Sequence, residues 1–390
     1  MKKWLLAFAL ILLAGGAALL YRELVRSYRG YGESVLLEIQ PGTSSPQVAG
    51  LLVSRGVLAH RIPFLLLHVA GRLRHRSLKA GEYLFDGPLT PIQIYRKLIH
   101  GDVYLHPVVI PEGSDRFDMA RILHQQIGMD APAFLDVTSQ PQAVHDLDPQ
   151  APSLEGFLFP DTYRFARGAS PAAVALAMML RFRHVLEARF PPELRQSPER
   201  LHQVLTLASL VEKETPATQE RPMIAGVFTR RLAARMPLQC DPTVVYAARL
   251  DHQSGPGPIT EDELALDSPY NTYRNPGLPP GPICSPGEVS LRAALDPAPG
   301  KALYFVSNNH GGHVFASTLA EHQHNVARYR RRVAELRQST GEESPVAKRT
   351  ANRSSAEHKV HGRVRQKPRI QPKNRKKERA HSRVSSHAQP

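Results

Sequence analysis

Two cysteines, one tryptophan and a 7 % aromatic content are sparse for a chain of 390 residues. So few cysteines exclude a disulfide-stapled miniature fold. Long apolar runs are equally scarce: there is one, at the N-terminus, which excludes a polytopic channel. No GxSxG, P-loop or HExxH sequence occurs, so serine hydrolase, NTPase and zincin readings find no support. His310, His313, His322 and His324 crowd together, but their spacing fits no zinc pattern and no cysteine or close carboxylate joins all four. No metal and no cofactor is expected.

What the chain does have is enough apolar material, 42 % against 22 % charged, to bury a sizeable core. Its formal net charge of +15 is unevenly placed. The last fifty residues, Gly341 to Pro390, hold 14 Lys/Arg against 4 Asp/Glu, so about two-thirds of the excess sits in a tail. That tail lacks aromatic residues and reads as disordered. Its charge suits loose contact with anionic lipid or wall polymers. A nucleic-acid arm would have to lie on the other side of a membrane from the body, so no nucleic-acid partner is expected.

Lys2 and Lys3 precede an unbroken apolar run from Trp4 to Tyr21. Eighteen helical residues span ~27 Å, just enough for a bilayer core. Leu19, Leu20 and Tyr21 carry the run past the small residues Gly15 to Ala18, which favours a retained anchor over a cleaved signal. Residues 1–30 are therefore expected to be a membrane anchor with its juxtamembrane segment, and the body to be exported.

Two stretches of the body read alike. Leu36, Leu37 and Ile39 lead into Pro41-Gly42-Thr43 and then a helical pattern through Val48, Ala49 and Leu52. Seventy-one residues later, Val108 to Ile110 lead into Glu112-Gly113-Ser114 and a helical pattern through Met119, Ala120 and Leu123. Such strand–Gly–Ser/Thr–helix units are similar to small sugar-binding LysM modules, although a generic βα unit has the same pattern. The expected fold is α+β: a small LysM-like domain over 33–106, a larger mixed α/β catalytic domain over 107–337, and the basic tail over 338–390. Helices are expected at Ile62–Leu73, Pro91–Leu98, Pro171–Phe190, Pro198–Glu214, Pro222–Ala234, Pro242–Arg249 and Thr318–Arg337, with a strand at Ala302–Val306. The stretch after Ile127 reads as loops. The stretch from Gly255 to Gly300 is too rich in Pro and Gly for regular elements.

The segment Ser197 to Thr215 carries the most chemistry. Ser197 and Pro198 open a helix whose apolar stripe runs through Leu201, Val204, Leu205, Leu207, Ala208 and Val211. Glu212 falls within that stripe, and Glu214 at its far edge. A carboxyl on an apolar face resists ionisation, and a neutral carboxylic acid is what a general acid requires. The alternative is that Glu212 is half of an ion pair with an arginine.

The run Leu207-Ala208-Ser209-Leu210-Val211-Glu212-Lys213-Glu214-Thr215 with Glu220-Arg221 resembles the core motif of the endolytic murein transglycosylase family (MltG/YceG-like). Four further blocks match in the family's order: Leu154-Glu155-Gly156 through Tyr163, Leu238-Gln239-Cys240-Asp241-Pro242-Thr243 through Tyr246, Ser268 to Tyr273 with Gly277 to Ile283, and Tyr304-Phe305 with Gly312-His313 and His322. The resemblance implies a single-pass inner-membrane enzyme whose periplasmic body cleaves the MurNAc-β-1,4-GlcNAc bond of nascent peptidoglycan strands, leaving 1,6-anhydroMurNAc ends. It implies Glu212 as the catalytic acid and base, with glycan-polymerising wall synthases as partners. A catalytically silent glycan-binding scaffold is the alternative. Expected substrate contacts are Glu155, Gln239, Asp241, Thr243, Tyr246, Tyr270, Asn271 and Tyr273, the donors, acceptors and ring faces a neutral aminosugar needs. Asp241 competes with a helix-capping role. The Pro279–Pro282 loop is expected to shape a cleft wall. Cys240 and Cys284 either pair or remain separate buried thiols.

Overall fold

A computed structural model describes residues 2–251 and 258–340. The expected disordered tail beyond Thr340 lies outside the described residues. The chain divides into two units, Met1–Val326 and Ala327–Pro390, and the elements described below belong to the first, except the last helix, which runs into the second.

Helix α1 (Lys2–Val25) is apolar on every side and exposed from Trp4 to Leu19. At ~1.5 Å per residue it is ~36 Å long, enough for a bilayer by length and composition. Strand β1 (Val35–Ile39), helices α2 (Ser45–Ser54) and α3 (Arg61–Arg72), strand β2 (Gly81–Phe85) and helix α4 (Pro91–His100) then form a small body with its own core. β1 and β2 are antiparallel, Leu37 facing Tyr83, and alternate side chains dive inward, so Leu37 and Ile39 are buried with Tyr83 and Phe85. Val48, Ala49 and Leu52 of α2, Phe64 of α3 and Ile94 and Leu98 of α4 close this core. The helix ends are set locally. Ser44 and Thr90 form capping boxes with Gln47 and Gln93, and Gly101 ends α4 in the left-handed conformation.

A larger core follows. Strand β3 (Leu105–Val109) leads to α5 (Arg116–Ile127), α6 (Ala131–Ser139) and β4 (Thr162–Ala166), which returns antiparallel to β3 with Val108 opposite Tyr163. Helices α7 (Pro171–Arg189), α8 (Pro192–Arg195), α9 (Pro198–Glu214), α10 (Arg221–Ala233), α11 (Asp241–Leu250), α12 (Glu261–Leu264) and α13 (Glu288–Leu295) come next. The hairpin of β5 (Tyr304–Ser307) and β6 (His313–Ala316) and helix α14 (Leu319–Thr340) complete the described chain.

The larger domain mixes helix and strand as expected, but helix predominates and its described strands pair only as two two-stranded antiparallel ladders, β3–β4 and β5–β6. Both copies of the sequence repeat do form strand, turn and helix, with Gly42 and Gly113 at left-handed φ of 82° and 76°. Several elements were not expected, among them α6, β4 and α13. α6 stands where loops were read, begun by the Asp130 cap and Pro132 and held by buried Phe134. β4 follows the Pro160-Asp161 corner. α13 lies inside the Pro/Gly-rich stretch, because Leu291, Ala293 and Ala294 give it an apolar face against α9 and α10.

α9 is the axis of the larger body. Thr206 and Ser209, on the side of α9 opposite its apolar stripe, are also fully buried. The segment Ile283–Gly287 lies across that face: Ser209 Oγ accepts from the Ile283 N–H at 3.0 Å and donates to the Thr206 carbonyl at 2.7 Å. The Pro279–Pro282 loop feeds this segment, so it serves packing rather than walling the cleft described below. Gly156 docks beneath it at φ 85°, where an added Cβ would stand 2.6 Å from Pro282 and 3.2 Å from Leu205. Gly156→Ala should cost about 2 kcal/mol or more of stability, measured by urea unfolding, because both backbone and space are refused.

Candidate active site

The two glutamates at the end of α9 have different surroundings. Glu212 is clamped. Arg221 of α10 donates to it from Nη2 at 2.7 Å and from Nη1 at 3.2 Å, and the Gly287 N–H donates at 3.0 Å. Both side chains are nearly inaccessible, 4 % and 5 % exposed. Glu112, on the turn before α5, adds a longer contact to Arg221 at 3.5 Å. This is the ion-pair alternative foreseen for Glu212, not the greasy isolation that would keep an acid neutral. The wheel shows which face a side chain takes but not which cation a later helix brings to it.

Glu214 lies two residues on, roughly 200° around the helix. It opens onto a cleft of about 300 Å³ lined also by Arg231, Leu238, Gln239, Asp241, Tyr273, Phe305 and His322. Burial pushes its carboxyl up to about 6 from an ordinary 4.5; the negative field of Asp241 adds to this, while the Cys240 thiol, His313 and Arg231 hold it down. Arg231 is fixed by three backbone carbonyls, Leu303 at 2.8 Å, Pro237 at 3.1 Å and Leu238 at 2.8 Å, and packs over the Tyr304 ring. His322 stacks on the same Tyr304 ring, 5.1 Å away and 20° from parallel. His313 is held by Glu220, which takes its ring nitrogen at 2.7 Å and its backbone N–H at 2.9 Å.

The expected substrate contacts separate into three groups. Gln239, Asp241 and Tyr273 do line the cleft with Glu214. Asp241 does not cap α11, since Cys240 occupies the cap position; it accepts instead from the Tyr273 hydroxyl at 2.5 Å. Gln239 sits at a left-handed φ of 52°.

Thr243 and Asn271 are spent on the backbone that carries these residues. Thr243 Oγ1 donates to the Cys240 carbonyl at 2.6 Å, and Thr272 Oγ1 accepts from the Cys240 N–H at 3.0 Å. Asn271 donates to the carbonyls of Leu264 and Leu266, both at 3.0 Å, and accepts from the Tyr273 N–H at 3.1 Å. Both are fully buried, which removes them from direct substrate contact.

Glu155, Tyr246 and Tyr270 form a separate buried cluster. Glu155 accepts from the Tyr246 hydroxyl and the Arg116 N–H, each at 3.1 Å, and Tyr246 tilts against Tyr270 at 5.1 Å. Burial and the nearby Asp115 push the Glu155 carboxyl up to about 8. None of the three lines the cleft. Cys240 and Cys284 are separate buried thiols; Cys284 Sγ donates to the Ser209 carbonyl at 3.3 Å.

Sequence reasoning missed Arg231 altogether, and nothing in its local sequence marks it. Phe305 and His322 were visible only as parts of the last matching block. Among the described residues no group of three or more metal-ligating side chains comes together. A larger hollow of about 700 Å³ beside α2 and α3 has no carboxyl among its lining residues. A largely buried acid whose pKa is raised to about 6, facing a cleft of ring, amide and guanidinium groups, has the chemistry to move a proton.

The chain belongs to the YceG-like family, whose model matches residues 37–328. It is 29 % identical over 334 residues to the endolytic murein transglycosylase of Bacillus subtilis (strain 168), covering 82 % of this chain and 91 % of that one. It is also 29 % identical over 323 residues to the endolytic murein transglycosylase of Streptococcus pneumoniae serotype 2, covering 76 % of this chain and 58 % of that longer relative. The crystal structure of a putative YceG-like protein from Listeria monocytogenes superimposes with a TM-score of 0.50 at 32 % identity, covering 75 % of this chain and 98 % of that one.

The Glu155 cluster has a consequence for stability. A carboxyl whose pKa rises on folding binds its proton more tightly in the native state, so stability is highest below the unfolded value near 4.5 and falls as pH climbs through about 8. Thermal melts should show this decline between pH 5 and 8. Glu155→Gln, which keeps an acceptor without the titration, should flatten it.

Proposed function

We propose that this chain is a membrane-anchored peptidoglycan lytic transglycosylase in which Glu214, rather than Glu212, transfers the proton. The observation that carries this reading is the contrast at the end of α9. The carboxylate of Glu212 has both oxygens occupied by Arg221 and Gly287. The carboxyl of Glu214 faces an open cleft and titrates near 6. The names of the relatives, endolytic murein transglycosylases, support the substrate and bond.

In the proposed reaction the neutral Glu214 carboxyl gives its proton to the glycosidic oxygen between MurNAc and GlcNAc. The bond from that oxygen to C1 of the muramic ring breaks, and the GlcNAc end leaves with a hydroxyl. Glu214, now a carboxylate, accepts the proton of the same muramic ring's 6-hydroxyl while its oxygen bonds to C1. The product ring is 1,6-anhydroMurNAc, no water is consumed, and the acid is regenerated. One carboxyl suffices because the nucleophile is intramolecular, with the high effective concentration that implies; hydrolases need a second group to activate or replace water.

Arg231 restrains the acid from drifting higher and offers donors to the N-acetyl or lactyl oxygens. Tyr273 offers a ring face, fixed by its bond to Asp241. Helix α1 supports a single-pass inner-membrane anchor with the body in the periplasm, next to glycan-polymerising synthases. The body over 33–106, with its strand–turn–helix start, supports a LysM-like hold on the same strand.

The test is digestion of isolated peptidoglycan followed by mass analysis. Wild type should release anhydro-ended fragments, and Glu214→Gln should lose about 10²–10⁴-fold in rate, the worth of general acid–base catalysis. The wild-type kcat/KM should fall as pH rises above about 6, where the acid form is lost. Fragments with water-added reducing ends would mean a hydrolase. Binding of glycan without cleavage would leave only a scaffold.

A further inference from the structure

Helix α3 carries an exposed apolar stripe that neither core uses. Ile62, Leu66, Val69 and Leu73 are 69 %, 46 %, 60 % and 83 % exposed. At ~100° per residue they fall within about 60° of one another, opposite the buried Phe64 and Gly71 side. Four large apolar side chains aligned on one face of a short helix are not the scattered exposure of an ordinary surface.

Two further observations say what covers this stripe. The first is charge. Between Ile39 and Gly81 the chain holds Arg55, Arg61, Arg72, Arg74, Arg76 and Lys79 and not one Asp or Glu. Arg61 and Arg72 stand at the two ends of the stripe, and Arg74 and Arg76 follow just beyond it, all exposed. The second is position. The C-terminal end of α1 packs against α3 and α4, and a cavity of about 330 Å³ is lined jointly by Glu23, Arg26 and Tyr28 after the apolar span and by His60 and Pro63 at the start of α3. The stripe thus begins where the apolar helix leaves its span.

We infer that α3 is an interfacial helix: its Ile62–Leu66–Val69–Leu73 face lies in the boundary layer of an anionic bilayer, with the flanking arginines on lipid phosphates. Apolar side chains on one face and cations on the rim are the composition by which helices lie in a membrane surface. Juxtamembrane arginines gain from the negative potential of anionic lipid. The inference rests on the anchor reading of α1. Its consequence is that the small body is held flat on the membrane by two contacts rather than swinging on one.

The test uses the full chain in nanodiscs of phosphatidylglycerol and phosphatidylethanolamine containing a lipid-borne quencher. Leu66→Cys is labelled with an environment-sensitive dye, and Leu180→Cys on α7, also exposed, serves as the water-facing control. Cys240 and Cys284 are buried and stay unlabelled. Trp4, the single tryptophan, reports the anchor. The expected result is quenching at Trp4 and at label 66, with a blue-shifted emission at 66, and neither effect at 180. Quenching at Trp4 with label 66 bright and water-like would overturn the interfacial helix and leave the anchor standing. An unquenched Trp4 would overturn both. Reversing Arg72, Arg74 and Arg76 together to Glu should release label 66 from the lipid; undiminished quenching would overturn the role of the anionic head groups.

Discussion

The buried pair between Glu212 and Arg221 is the constraint on which the site depends. Two charges taken out of water at 2.7 Å need further partners, and the Gly287 N–H and Glu112 contribute, although the buried Arg221 Nε has none among the described residues. The pair therefore ties together the end of α9, the start of α10, the segment that crosses α9 and the turn before α5. Lys213, between the two glutamates, adds a bond to the Gly113 carbonyl at 3.1 Å on the same side. With residue 212 locked inward, helical geometry turns residue 214 away from the clamp and toward the cleft. One glutamate is held in a structural ion pair, which leaves the other to face the cleft.

The balance of charges around each acid then sets its behaviour. Glu155 and Glu214 are both desolvated, yet their carboxyls titrate near 8 and near 6. Burial of Glu155 is reinforced by Asp115 and opposed by Arg116 and Tyr246; burial of Glu214 is opposed by the Cys240 thiol donor, His313 and Arg231 and reinforced by Asp241. The Cys240 thiol donor first, then His313 and Arg231, hold Glu214 at about 6, where giving and regaining a proton are both accessible. Asp241 and Tyr273 hold each other, so the second carboxylate in the cleft is already engaged.

Much of the frame was legible in the sequence because it is local. Pro198 after Ser197 and Pro171 after Ser170 mark helix starts, and α7 and α9 fall where those signals put them. The repeat of Gly42 and Gly113 marked two turns that both adopt positive φ. What failed depends on distant partners. Gly287 reaches Glu212 across 75 residues, and a helical wheel cannot register that contact. Thr243 and Asn271 look like sugar-binding donors by residue type, but neighbouring carbonyls consume them. α13 hid among prolines and glycines because its apolar face is only eight residues long. The apolar stripe that seemed to isolate Glu212 was real; the arginine waiting beside it belonged to the next helix.

The division of labour between the two glutamates is tested most directly by measuring melting temperature and glycan cleavage side by side for Glu212→Gln and Glu214→Gln. The account predicts that Glu212→Gln, by stranding Arg221, loses about 3–5 kcal/mol of stability yet still produces anhydro ends at a temperature where it remains folded. It predicts that Glu214→Gln melts within a few degrees of wild type and produces almost none. A folded Glu212→Gln without activity, beside an active Glu214→Gln, would contradict it.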